Sequence, residues 1–154
     1  VGSRLPGSDP ALFRDIAHEV PVGQVPRATF LERLSGLHHV FLPMQKVYYG
    51  LSASGALLDA VTWLKPVIAT RLPIVEDMFE AGGDIGQLCD DVAGMQAALA
   101  DIVERMDTER YAGQVEALRR LRASRAPEAL VPLAKRILAQ GFPSLLETSP
   151  RRPA

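Results

Sequence analysis

The run Ser52-Ala53-Ser54-Gly55, followed by Asp59, places two hydroxyls, a glycine and a carboxylate close together in the chain. A helix starting there would offer free N–H groups and the positive end of its dipole, a natural seat for a phosphate. Gly55 would let a ligand approach the backbone, and Asp59, one turn further on, would face the same loop. A carboxylate in that place can accept hydrogen bonds from a vicinal diol, the way proteins hold a ribose. Plainer readings fit each residue alone: Ser52 or Ser54 as an N-cap, Gly55 as a packing residue, Asp59 as a solvated surface acid. Taken together, the serines, the glycine and the acid make a stronger case than any one of them.

Lys46 can neutralise a diphosphate, and Tyr48 or Tyr49 can stack on a base or sugar. Equally, the tyrosines can pack the loop while Lys46 stays in water. Gly82-Gly83-Asp84-Ile85-Gly86 can reach a ligand from a neighbouring loop or serve as a turn before an edge strand. His18, His38 and His39 fall into no Ser/His/Asp or metal spacing. Glu76, Asp77 and Glu80 read as a solvated acidic face, and Arg119, Arg120, Arg122 and Arg125 as a solvated basic one.

The elements that must position these residues follow from the apolar pattern. Asp9 and Pro10 can open a short helix over Ala11 to Glu19, and Val20 to Val25 is a weak strand interrupted by Pro21 and Gly23. Phe30, Leu31, Leu34 and Leu37 recur at helical spacing over Thr29 to Leu37. His39 to Pro43 is a short apolar run closed by proline, suited to a strand buried on both faces. Gln45 to Leu51 reads as a loop and Ser54 to Leu64 as a helix with Leu57, Leu58 and Val61 inward. Pro66 to Thr70 is a second buried strand, so strand, loop, helix and strand form a βαβ unit and imply a parallel sheet.

Downstream, Ile74 to Glu80 is a helical turn or short helix, and residues 82–86 lead into a short extended piece. Three helices close the chain. The first, Val92 to Met106, has Val92, Met95, Leu99, Ile102 and Met106 on one face and Asp90 or Asp91 as N-cap. The second, Thr108 to Ala123, buries Tyr111, Val115, Leu118 and Leu121. The third, Pro127 to Gln140, is disturbed by Pro132 and stopped by Gly141. The fold class is therefore α/β: a partial Rossmann-like parallel sheet of three to four strands with a helical C-terminal segment. Residues 1–9 read as loop or disorder, 10–106 as a partial Rossmann-like domain, 107–141 as helices packing on it, and 142–154 as a flexible tail.

With 154 residues, 47% hydrophobic and 23% charged, the chain can bury a core of ordinary globular size. A net charge of −1 provides no global field for nucleic acid or anionic membrane. Cys89 is the single cysteine, which excludes an internal disulfide and fits a reducing, cytoplasmic location. No apolar run reaches the ~18–20 residues of a membrane span. The absence of an initiator Met raises the expectation of processing, an alternative start or a fragment.

Tyr49-Gly-Leu-Ser-Ala-Ser-Gly-Ala-Leu-Leu-Asp-Ala, followed by Lys65-Pro-Val-Ile-Ala-Thr, resembles the donor half of GT-B glycosyltransferases. Those enzymes carry a strand ending in proline, a loop, a helix with an acidic-Ala pair, a small-residue turn and a Pro-Val-Val/Ile-Ala strand. Here the counterparts are Val40 to Pro43, Asp59-Ala60 and Pro66 to Thr70. Val22-Gly23-Gln24-Val25-Pro26 resembles the preceding short strand, and Gly83 to Gly86, Asp91 and the helix from Val92 follow in the same order. The likeness spans roughly residues 8–140.

The resemblance implies that Asp59 binds the ribose of a nucleotide-sugar donor and that Ser54 and Gly55 bind its diphosphate or sugar. With Ser52, Lys46 and Tyr49 these make the candidate donor site; no catalytic residue and no metal ligand is assigned. The donor is a substrate, and no cofactor is implied. Two departures stand out. The retaining branch carries a glutamate eight residues before the ribose-binding acid, where this chain has Leu51, and Asp59 stands where the family has Glu. By this resemblance the sequence is expected to begin inside the donor domain, without the N-terminal acceptor domain or the Arg…Lys pair that neutralises the donor diphosphate. The expected function is the donor-binding half of a bacterial hexosyltransferase-like enzyme in polysaccharide biosynthesis. It would move a sugar to a glycan or lipid-linked acceptor, with peripheral association of the full-length enzyme at the inner face of the membrane. The alternatives are a non-catalytic interaction module of the same fold, docking through its Arg-rich helix, and a nucleotide-sugar epimerase.

Overall fold

The structure is a computed structural model that describes residues 7, 9, 22–49 and 54–141. The expected helix over Ala11 to Glu19, the site residue Ser52, Leu51 and the tail 142–154 lie outside them. Among the described residues ten elements follow in order: α1 (Arg27–Ser35), β1 (Val40–Leu42), α2 (Lys46–Tyr49), α3 (Gly55–Thr62), β2 (Val67–Thr70), α4 (Pro73–Gly82), β3 (Gly86–Cys89), α5 (Val92–Glu104), α6 (Thr108–Ser124) and α7 (Pro127–Gly141). The three strands form a parallel sheet in the order β1-β2-β3, with Val40 beside Val67 and Val67 beside Gly86. The chain is thus α/β, as its apolar runs imply, and its sheet is that of a partial Rossmann-like fold.

A parallel strand must be reached by a crossover, and crossovers are right-handed. Moving in one direction across the sheet therefore puts α3 and α4 on the same face. There Leu57, Ala60, Val61, Val75 and Met78 join Val67 and Ala69 of β2 in the main core, sealed by Ala117, Leu118 and Leu121 of α6. Ile68, the residue between them, points to the opposite face and packs with Cys89, Met95 and Ala98 under α5. This alternation is the period of two along a strand, and burial on both faces explains why the β2 sequence is continuously apolar. Leu57, Leu118 and Leu121 are almost wholly buried, each worth about 2 kcal/mol of transfer free energy.

Two backbone positions set the geometry. Gly86 has φ 147°, and a Cβ there would lie 2.0 Å from the Val67 carbonyl oxygen, so only glycine lets β3 close on β2. At the end of α3, Leu64 takes φ 56°, its N–H bonding Val61 O while Lys65 N–H bonds Ala60 O. That is a Schellman closure with a leucine where glycine is the common choice.

Several expectations are corrected. Residues 45–51 are not all loop, because Lys46–Tyr49 forms one helical turn. On α3, Leu58 is exposed and Ala60 takes its inward place. The stretch after Pro73 is a full helix of ten residues, opened by that proline at its first position. On α5, Met95 and Ala98 are buried and Ile102 packs against them, while Val92, Leu99 and Met106 face outward. On α6, Gln114 and Ala117 are buried with Leu118 and Leu121; Tyr111 and Val115 are only half-buried. Val22 forms an isolated bridge, and residues 23–26 take no strand. Pro132 leaves α7 unbroken, and none of that helix's residues is buried.

Candidate functional site

All three strands run the same way, so their carboxyl ends share one edge of the sheet, where open α/β folds place ligands. β1 ends at Leu42, and the chain passes through Pro43, the buried Met44 and α2 before α3 begins. Ser54 is the N-cap of α3: it is 5% exposed, and its hydroxyl accepts the Leu57 N–H at 3.3 Å. The capping role therefore occupies this side chain. Gly55 is exposed, and a Cβ built on it would meet nothing within 4 Å. Packing does not demand a glycine there, and the first turn of α3 opens outward.

Asp59 follows one turn later beside a cleft of about 240 Å³, which it lines with Phe30, Leu34, Phe41, Leu42 and Ala56 among others. Its carboxylate is already engaged. Arg27, at the start of α1, donates Nη1–H to one Asp59 oxygen at 2.9 Å and Nη2–H to the other at 2.7 Å. The guanidinium also lies 5.4 Å from the centre of the Phe30 ring. The hydrogen bond to Asp59 holds the Arg27 guanidinium above its ordinary value, against a desolvation that lowers it. This two-point pairing is the planar fork geometry that arginine makes and lysine cannot.

The other sequence candidates divide. Lys46 is exposed on α2, while Tyr49 on the same turn is half-buried against the main core. The Gly82–Gly86 turn is brought nowhere near Ser54. It leads into the amino end of β3, and α3 follows the carboxyl end of β1, so the two lie at opposite edges of a parallel sheet. Asp84 in that turn is tied to α6 instead, accepting from Gln114 Nε2 at 2.8 Å and Arg110 Nε at 3.1 Å. Burial pushes the Asp84 carboxyl up, but these donors, the Arg110 charge and the Gly86 N–H outweigh it and hold it below the usual range.

Two arginines escaped the sequence reading. Besides Arg27, Arg71 sits just past the carboxyl end of β2. It reaches Asp90 through Nε at 2.6 Å and Glu76 through Nη1 at 3.2 Å. It thereby fastens the loop after β3 to α4, and Glu76 is a structural partner rather than part of a free acidic cluster. No local spacing foretells such pairs, because Arg27 and Asp59 meet only through the packing of α1 beside β1 and α3. Asp91 caps α5 by accepting the Gly94 N–H at 2.7 Å, as its position before that helix implies. Arg119 pairs with Glu116, and Arg122 donates to the Thr62 carbonyl at 2.9 Å, so part of the basic face serves the contact between α6 and α3.

At the amino edge of the sheet, His38 and His39 both contact the Tyr111 ring, at 5.8 Å and 5.4 Å between centroids. Burial lowers His39 below the ordinary histidine value, and the neighbouring His38 charge adds to the effect. Among the described residues no three His, Cys, Asp or Glu side chains are grouped to hold a metal ion. Nor is any described helix long and apolar enough to cross a membrane. Compared with known proteins, the chain matches no family model, no curated protein and no solved structure.

Proposed function

We propose that this chain binds the nucleotide-sugar donor of a glycosyltransferase, as one half of an enzyme that passes the sugar to a glycan or lipid-linked acceptor. The observation that carries the reading is the placement of Asp59. It projects beside an open cleft one turn into a helix whose amino end opens at the carboxyl edge of a parallel sheet. A carboxylate there suits the ribose diol, and the helix start at the exposed Gly55 suits the diphosphate. Lys46 is a further cation on the same connection. The share of catalysis belonging to this half is positioning the donor and stabilising the departing diphosphate. A cytoplasmic site at the inner face of a membrane follows from that substrate pair.

The test is calorimetric titration of the 154-residue chain with UDP- and GDP-sugars. Binding to the parent chain is expected for one of them, with a loss of about tenfold or more in Asp59→Ala, the value of a charge-assisted hydrogen bond pair. Equal affinity in Asp59→Ala and the parent chain would sink the assignment of this residue.

A further inference from the structure

Asp59 presents a conflict that the donor-binding reading must resolve. Both of its oxygens are taken by Arg27, at 2.7 and 2.9 Å, and the pair stands at the mouth of the cleft beside Phe30. A vicinal diol approaching Asp59 in the plane of the carboxylate meets the guanidinium first. Arg27 is the more exposed partner: its side chain is 63% exposed against 20% for Asp59, and it lies on a different element. Releasing it costs little where water can solvate the charge, since exposed ion pairs contribute little to stability. The cost rises when a neutral ligand covers the site, because the guanidinium then loses its counter-charge without gaining another.

We infer that Arg27 is a latch on Asp59 which makes the site selective for nucleotides over nucleosides, an inference that rests on the donor-binding reading. A nucleoside brings a diol that competes for Asp59 and nothing to receive the displaced guanidinium. A nucleoside diphosphate brings both. As its ribose takes the carboxylate, its phosphates offer the planar fork a new bidentate acceptor. Gly55 is four residues before Asp59, about 6 Å along the helix axis. The exchange replaces one ion pair by another, so no charge is left unpaired. It also provides a cation for the diphosphate from a residue that is an ordinary surface arginine by sequence.

The experiment compares UDP with uridine, and GDP with guanosine, on the 154-residue chain and on Arg27→Ala and Arg27→Lys, by isothermal titration calorimetry. In the parent chain the diphosphate is expected to bind far more tightly than the nucleoside. In Arg27→Ala that ratio should collapse by about tenfold or more, through weaker diphosphate binding and stronger nucleoside binding. Arg27→Lys keeps the charge without the fork and should restore part of the ratio. A purely structural Arg27 would change both affinities by the same factor, so an unchanged ratio overturns the latch while leaving the donor site standing. Failure of the parent chain to bind either diphosphate overturns the donor reading and the latch with it.

Discussion

At the scale of single residues, the least replaceable position is one where no side chain exists. Gly86 combines φ 147° with a Val67 carbonyl oxygen 2.0 Å from where a Cβ would stand. Both obstacles are backbone, so neither can be relieved by a rotamer change. Gly86→Ala is expected to cost about 3 kcal/mol or more, read as a drop in the urea midpoint, because β3 must move off β2. Gly55→Ala, with open space at its Cβ, offers the contrast of a glycine that the fold does not need. The sequence marks residues 82–86 only as a glycine-rich turn, since glycine identity carries no record of which φ it adopts. Asp59 stood out in the sequence as a candidate diol acceptor from its place after Gly55. Its partner Arg27, far away in the chain, did not.

At the scale of elements, order was easier to read than orientation. The apolar runs at Val40–Leu42 and Val67–Thr70, with helical spacing between them, define the βαβ unit before any coordinates. The inward face of α5 is another matter. Counting large apolar residues puts Val92, Met95, Leu99, Ile102 and Met106 inside; Met95 and Ile102 are, but Ala98 joins them on the sheet while Val92 and Leu99 face outward. A small residue at the centre of the contact lets the helix sit close over Ile68 and Cys89, and hydrophobic counting undervalues alanine for that reason. Met95→Ala should therefore cost about 2–4 kcal/mol in thermal or chemical unfolding. Leu99→Ala, at a position 44% exposed, should stay within about 0.5–1 kcal/mol. The reverse ranking would mean that α5 is docked through Leu99 rather than Met95. The single turn of α2 was missed because four residues are too few to show a period.

At the scale of the whole molecule, acid destabilises from two directions. His39 is lowered in the folded chain by burial first and by His38 second. The unfolded chain thus binds a proton that the folded chain resists. The His39 contribution is complete above the ordinary histidine value of ~6.5 and is lost as pH falls below it. Asp84 is depressed, so its contribution is present above the ordinary carboxylate range and is lost as pH falls through its lowered folded value. The melting temperature should accordingly decline in two stages between pH 7.5 and 3. His39→Gln should flatten the upper stage and leave the lower one intact, which a pH series of thermal melts would read directly. A single drop confined to the carboxylate range would remove His39 from the account.

One helix stands apart from this balance. None of the α7 residues is buried, and its contacts run to α6 around Arg125 and Ala126, where the two helices part. Opening that junction exposes almost no apolar surface that is not already in water, so it needs none of the free energy that unfolds the sheet. A protease meets the boundary between α6 and α7 on such terms: an arginine-bearing joint that opens locally, long before the core does. Limited proteolysis is therefore expected to separate α7 first and leave the packed α/β body intact.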